Sequence, residues 1–151
     1  MKNMIITMCL SVLGLAPLLL PAQNCNEANS IVSIRNKPTG DTEELIFTLK
    51  QPTDPDLSHN AIKPPFTDYG GDKVHVKGTV FREIHFKNVY WMCKPKNYTS
   101  FASSLISDIK ETERFEGYIT YVVGLNKGVK LDKQYTIDRT NYKKIIFRFK
   151  K

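Results

Sequence analysis

From Ile31 to the C-terminus, apolar and polar residues alternate in short runs, and proline, glycine or a polar cluster closes nearly every run. A period of two puts one set of side chains on one face of an extended chain, so these runs read as half-buried strands. "IVSIRN", Ile31 to Asn36, is one, ended by the turn cluster Lys37-Pro38-Thr39-Gly40-Asp41. "ELIFTLK", Glu44 to Lys50, sets Leu45, Phe47 and Leu49 against Ile46, Thr48 and Lys50. Val80, Ile84 and Phe86 share one parity, and Glu83, His85 and Lys87 share the other, solvated one. Near the end, Gln134 to Asp138 and Lys144 to Phe149 are strands joined by a polar turn around Arg139-Thr140-Asn141. Tyr118 to Leu125, within "RFEGYITYVVGL", is apolar on both parities and belongs at the centre of a sheet. Only Ser100 to Glu113 is ambiguous: Phe101, Leu105 and Ile109 fit a short helix, while Leu105, Ser107 and Ile109 fit a strand. The fold class that follows is all-β, an antiparallel β-sandwich or small barrel with at most one short helix.

The first residues stand outside this pattern. "MKNMIITMCLSVLGLAPLLLPAQ" has one early lysine, an apolar run from Met4 to Leu20 and a small residue at Ala22, the form of a secretory signal peptide. Gly14, Pro17 and Pro21 interrupt a core of about 17 residues, at the lower edge of a bilayer span. Cleavage after Ala22 is therefore expected, giving an exported chain of residues 23–151 as a single domain with no stable membrane span. Such a chain has room for one proper core.

Two of the three cysteines, Cys25 and Cys93, stay with the exported part, and an even pair in an oxidising compartment predicts a disulfide. Two distant cysteines supply too few ligands for a metal. Charge is the other strong signal. The whole chain carries +7, and Lys2 is the only charged residue expected to be removed, leaving 21 bases against 15 acids, or +6. An excess of that size favours anionic partners. For an exported chain, a wall polymer or an anionic envelope surface fits better than nucleic acid.

Signals for catalysis are thin. There is no Gly-x-Ser-x-Gly elbow and no phosphate-cradling Gly-x-x-x-x-Gly-Lys-Ser/Thr loop. His75 and His85 do not fall opposite each other across a turn at Lys77-Gly78, so neither a metal nor a cofactor is expected. Paired carboxylates for glycan hydrolysis could come from Asp54, Asp56, Asp68 and Asp72 in the loop and from Glu113 and Glu116 before the central strand, with Asp68 and Glu116 the ones to test, which keeps a small hydrolase as an alternative. The segment Gln51 to Asp72 holds four of the eight prolines and reads as a long ordered loop, a candidate binding region. Near it and beyond it lie mixed basic and aromatic residues, of which Tyr69, Lys73, Trp91, Lys94 and Lys96 are the expected ligand contacts. Aromatic faces stack on sugar rings, and cations meet anionic groups.

"ELIFTL", "PPFTDYGGDKVHVKGTVFREIHF", "RFEGYITYVVGL" and "YTIDRTNYKKIIFRF", in that order, resemble the AMIN-like domains of secreted bacterial proteins. Glu44 to Leu49 stands at the family's R-V-V-F-x-L strand and Gly70 to Gly78 at its G-S-G-x-x-V-x-V-x-G segment. Phe115 to Leu125 stands at its F-E-G strand, and Lys144 to Phe149 at its last. Glu43-Glu44-Leu45 replaces the usual Asp-Arg-Val, Gly-Gly-Asp replaces Gly-Ser-Gly, and Lys143-Lys144 replaces Pro-Arg. The resemblance covers nearly all of the chain from Ile31 and implies a β-sandwich. It also implies cell-envelope targeting or peptidoglycan binding, with no enzymatic activity carried over. The expectation is a non-enzymatic domain bound to peptidoglycan or another anionic envelope polymer. The alternative is a module that takes an envelope protein on an open sheet edge such as the Lys144 to Lys151 strand.

Overall fold

The computed structural model describes residues 28–51, 53–92 and 105–151, with the side chains of Trp91 and Met92 excepted. Strands are β1 (Ser30–Thr39), β2 (Thr42–Lys50), β3 (Asp56–Ile62), β4 (Phe66–Thr67), β5 (Lys73–Val74) and β6 (Val80–Lys87). They continue as β7 (Trp91–Met92), β8 (Ile106–Phe115), β9 (Tyr118–Leu125), β10 (Lys130–Asp138) and β11 (Tyr142–Lys150). Sheet A has the order β10-β11-β2-β1-β7 and sheet B the order β3-β6-β9-β8, with β4 and β5 forming a separate ribbon. The pairs are antiparallel except β1 with β7. This is the expected all-β sandwich, and the described residues contain no helix.

The alternation read from the sequence decides which face is buried. Leu45, Phe47 and Leu49 of β2 and Ile145, Phe147 and Phe149 of β11 turn inward from sheet A. Ile84 and Phe86 of β6 meet them from sheet B, with Ile119, Tyr121, Val123 and Leu125 of β9. At the centre, the Phe47 ring lies 4.9 Å from Phe86, 5.3 Å from Tyr121 and 6.0 Å from Phe147, all in tilted or edge geometry. Aromatic pairs of this kind add about 0.5–1.5 kcal/mol each beyond the area they bury. β9 lies between β6 and β8, so its apolar residues on both parities find cover.

That cover on the outer side comes from the proline-rich excursion. The sequence predicts a loop over Gln51 to Asp72. The structure places the edge strand β3 inside it, and the chain after the cis Pro64-Pro65 bond then crosses sheet B's outer face. Phe66 and Val76 bury themselves on Val122, with Ile62, Val74 and Phe81 packed alongside. β3 lacks strong apolar alternation because it is an edge strand, with one neighbour and one wet side. Gly124 makes the crossing possible. A Cβ there would stand 1.8 Å from the Lys77 carbonyl oxygen.

Three other boundaries move. β1 runs through the expected turn cluster to Thr39, because Gly40, at φ +61°, and Asp41 alone close the hairpin to Thr42. The ambiguous segment is strand from Ile106, and its bulges at Ile106/Asp108 and Glu111/Glu113 account for the mixed periodicity. β11 is paired on both sides, with β10 and with β2, so the Lys144 to Lys151 strand is not an open edge. The edge of that sheet beside it is β10.

Candidate anion-binding face

The cross-strand registers of sheet A set its outward residues in rows. One row runs Tyr135–Ile146–Ile46–Arg35 across β10, β11, β2 and β1. The next runs Lys133–Arg148–Glu44–Lys37, and on the other side lies Ile137–Lys144–Thr48–Ser33. Strands stand about 4.8 Å apart and same-face neighbours along a strand about 7 Å, so the cations form a grid over a few hundred square ångströms. Ile46 and Ile146 make the floor, and the stems of the long basic side chains cover them while their charged ends reach water. An open groove of about 470 Å³ lies between Arg35 and Lys37 on β1 and Tyr142 and Lys144 on β11, with Ile46 and Thr48 below. The volume lies within the range of about 300–1,000 Å³ usual for ligand sites.

Three tyrosine–cation contacts stiffen this face. Lys144 Nζ lies 5.3 Å from the Tyr142 ring centroid, and Lys133 Nζ 5.3 Å from that of Tyr135. The Arg148 guanidinium lies 5.7 Å from Tyr135. Each such contact contributes about 0.5–1 kcal/mol at an exposed site, and each holds a positive group in place at the surface.

The rows contain one carboxylate, Glu44, and it is already engaged. Its Oε1 accepts from the Tyr135 hydroxyl at 2.6 Å and from Arg148 Nη2 at 2.5 Å and Nε at 3.1 Å. Burial alone would raise the Glu44 carboxyl. The hydrogen bonds from Tyr135 and Arg148, with the charges of Arg148 and Lys37, outweigh burial and hold it below the ordinary carboxylate value. The hydrogen bond to Glu44 likewise raises Arg148 and Tyr135 above their usual values. Arg35, Lys37 and Lys144 are in no ion pair among the described residues and face the groove.

Of the expected contacts, Tyr69, Lys73 and Trp91 are placed away from this groove. Tyr69 is 65% exposed, at the tip of the β4–β5 ribbon, and stacks on Phe115 with ring centroids 4.9 Å apart and planes 11° from parallel. Lys73 pairs with Thr67 in that ribbon and borders an apolar groove of about 600 Å³ with Pro64, Phe66 and Phe81. Both belong to the cover of sheet B. Trp91 is in β7, opposite Ser30 at the far edge of sheet A. Lys94, Lys96, Cys25 and Cys93 lie outside the described residues. The sequence does contain the signal for the face that is found: Arg35, Lys37, Lys144 and Arg148 all fall opposite the core parity of their strands. Which of those strands become neighbours is the fact that sequence spacing does not carry.

The two carboxylates singled out for hydrolysis have other work. Asp68 Oδ1 accepts the Asp72 amide at 2.9 Å and closes its own turn, and Glu116 forms the β8–β9 hairpin tip at φ +44°. A polar chain does cross the outer side of sheet B. His85 lies 2.9 Å from Glu83 and 3.0 Å from the Thr120 hydroxyl, which donates to Glu113 at 3.0 Å. Thr120 is only 3% exposed, so its hydroxyl is closed to a substrate and the chain ties β6, β9 and β8 together. No group of metal-binding side chains occurs among the described residues. No family model matches the chain, and no curated protein or solved structure matches it.

Proposed function

We propose that this chain is an exported, non-enzymatic domain that binds an anionic polymer of the cell envelope, peptidoglycan or a related wall polymer, on the outer face of β10, β11, β2 and β1. The observation that carries this reading is the groove in which Arg35, Lys37 and Lys144, in no ion pair among the described residues, stand beside Tyr142 over a floor of Ile46 and Thr48. Cations on two walls attract anionic groups from either side, and the tyrosine offers a ring edge and a hydroxyl to a sugar. The excess of bases over acids in the whole chain favours the same class of partner. So do the form of the first 22 residues and the resemblance to AMIN-like domains.

Co-sedimentation with purified peptidoglycan sacculi tests the reading, with a basic protein of similar size and charge as control. Binding that outlasts the control's at physiological salt and is lost on combined Arg35→Gln, Lys37→Gln and Lys144→Gln substitution supports it. Equal release of both proteins as salt rises reduces the charge to a solubilising surface.

A further inference from the structure

We infer that Arg82, beside His59 on the inward side of sheet B, grips a small, freely diffusing oxyanion on the far side of sheet A from the proposed polymer face. The register sets Arg82 opposite Ala61 and His59 opposite Ile84, so both side chains share the inward parity of Ile84 and Phe86. In sheet A, Gln134 and Thr136 of β10 share the inward parity of Phe147 and Ile145. Yet Gln134 and Thr136 are exposed while Phe147 and Ile145 are buried. Sheet B therefore leaves the inward side of β10 uncovered beyond β11. The His59 ring lies edge-on to Phe147 at 5.6 Å.

Arg82 is the unusual group there. It is half-buried, and its Nη1 lies 2.9 Å from His59 Nδ1. That nitrogen can accept only when the imidazole is neutral, with its proton on Nε2. The other two half-buried arginines each have a carboxylate: Arg114 has Glu111 at 2.7 Å, and Arg148 has Glu44. Arg82 has none among the described residues. The nearest acids in sequence turn the other way, with Glu83 bound to His85 and Asp56 to Lys87 on the outer side of sheet B. Burial lowers Arg82 from the ordinary arginine value, which is the mark of a cation short of water and of a counter-charge. A guanidinium presents five donors in a planar fork suited to carboxylate or phosphate, and one neutral acceptor leaves most of that fork for a ligand. One cation beside Ala61 and a neutral imidazole, with no ion pair among the described residues, suits a single compact anion and not a polyanion.

The test is a titration of the purified chain with inorganic phosphate and, separately, acetate at constant ionic strength, with chloride as the balancing anion. The readout is the magnetic resonance of the His59 ring and the Arg82 side chain. The expected result is a saturable shift of both with one or both probes, weakened about tenfold or more in Arg82→Gln, a loss of about 1.4 kcal/mol of binding free energy. The Lys37→Gln and Lys144→Gln variant keeps the shift, which separates this site from the proposed polymer face. The probe that saturates at lower concentration tells phosphate from carboxylate. No saturable shift with either probe, or an unchanged one in Arg82→Gln, overturns the inference. If Arg82→Gln does not fold, Arg82→Lys replaces it: binding weakened several-fold supports the fork, and undiminished binding overturns it.

Discussion

The Glu43 carboxylate, on β2 of sheet A, accepts the backbone amide of Ile106, on β8 of sheet B, at 3.1 Å. The same oxygen takes the Leu105 amide at 3.2 Å, and the other oxygen takes the Asn36 side chain at 2.7 Å. Glu43 is fully buried, so these bonds replace water at both of its carboxyl oxygens and fasten one sheet to the start of an edge strand of the other. Glu43→Ala leaves two amides without their acceptor and is expected to cost about 2–4 kcal/mol in chemical denaturation. A loss under 1 kcal/mol would mean that the two amides find water when the carboxylate is gone.

Gly124 has no room for a methyl group, because the Lys77 backbone passes directly over it. Gly124→Ala must push the Lys73 to Thr79 segment off sheet B and expose Val76 and Val122. A loss of about 3 kcal/mol or more is expected, with faster proteolysis between Pro64 and Thr79 than in the parent chain. Unchanged stability and proteolysis would show that the cover shifts without leaving.

On the proposed polymer face, Arg35→Gln, Lys37→Gln and Lys144→Gln together are expected to lower sacculus binding about tenfold or more and to flatten its salt dependence. Each touches stability by no more than about 0.5 kcal/mol. Tyr69→Ala, on the other sheet, leaves binding unchanged. Glu44→Gln removes the single acid from the rows and strengthens polymer binding several-fold while loosening Arg148. Weaker binding in Glu44→Gln would mean that the placement of Arg148 matters more than the sum of charge.

Two titrations tie stability to pH in separate windows. Burial, and then the charge of Arg82, hold His59 below its ordinary value of 6.5. Above that value the ring is neutral in both states and has no effect. As pH falls below it, the unfolded chain takes the proton first, so stability drops until the folded value is passed. His59→Gln removes this drop, and the difference from the parent chain appears only below about pH 6.5. Glu44 acts lower, its folded value lying under the ordinary 4.5. Its contribution is complete above that value and lost as pH falls through the folded one, so the parent's advantage over Glu44→Gln fades in acid. Denaturation curves of the three proteins between neutral and acid pH check both signs.

The strands of the core were legible in the sequence because burial on one face leaves a period of two. Leu45, Phe47 and Leu49 show it, as do Ile145, Phe147 and Phe149, and the doubly apolar Tyr118 to Leu125 announced a strand with neighbours on both sides. β3 was not legible. An edge strand with one wet side needs little apolar alternation, and Pro52, Pro55, Pro64 and Pro65 around it suggested loop. The prolines bound the strand and do not enter it. The proposed binding face was half legible: the bases were visible on the outward parity of their strands, but strand order decides which cations meet. β2 lies between β1 and β11, which are about a hundred residues apart in sequence, and that placement brings Arg35 to Lys144. The part of the excursion that covers the core was not legible either, because Phe66 and Val76 stand singly among polar residues and find their partner, Val122, only across the sheet.

Sheets with open sides invite other strands to join them, and here three of the described open sides carry an obstacle. β10 has a bulge between Leu131 and Lys133 and carries Lys130 and Lys133. β8 has two bulges, and β3 is seven residues long between Pro55 and Pro64. Such features discourage edge-to-edge pairing of like molecules. Copies of this chain crowded along one polymer would stand flank to flank at high local concentration, and these interruptions would keep neighbours from fusing into a fibre.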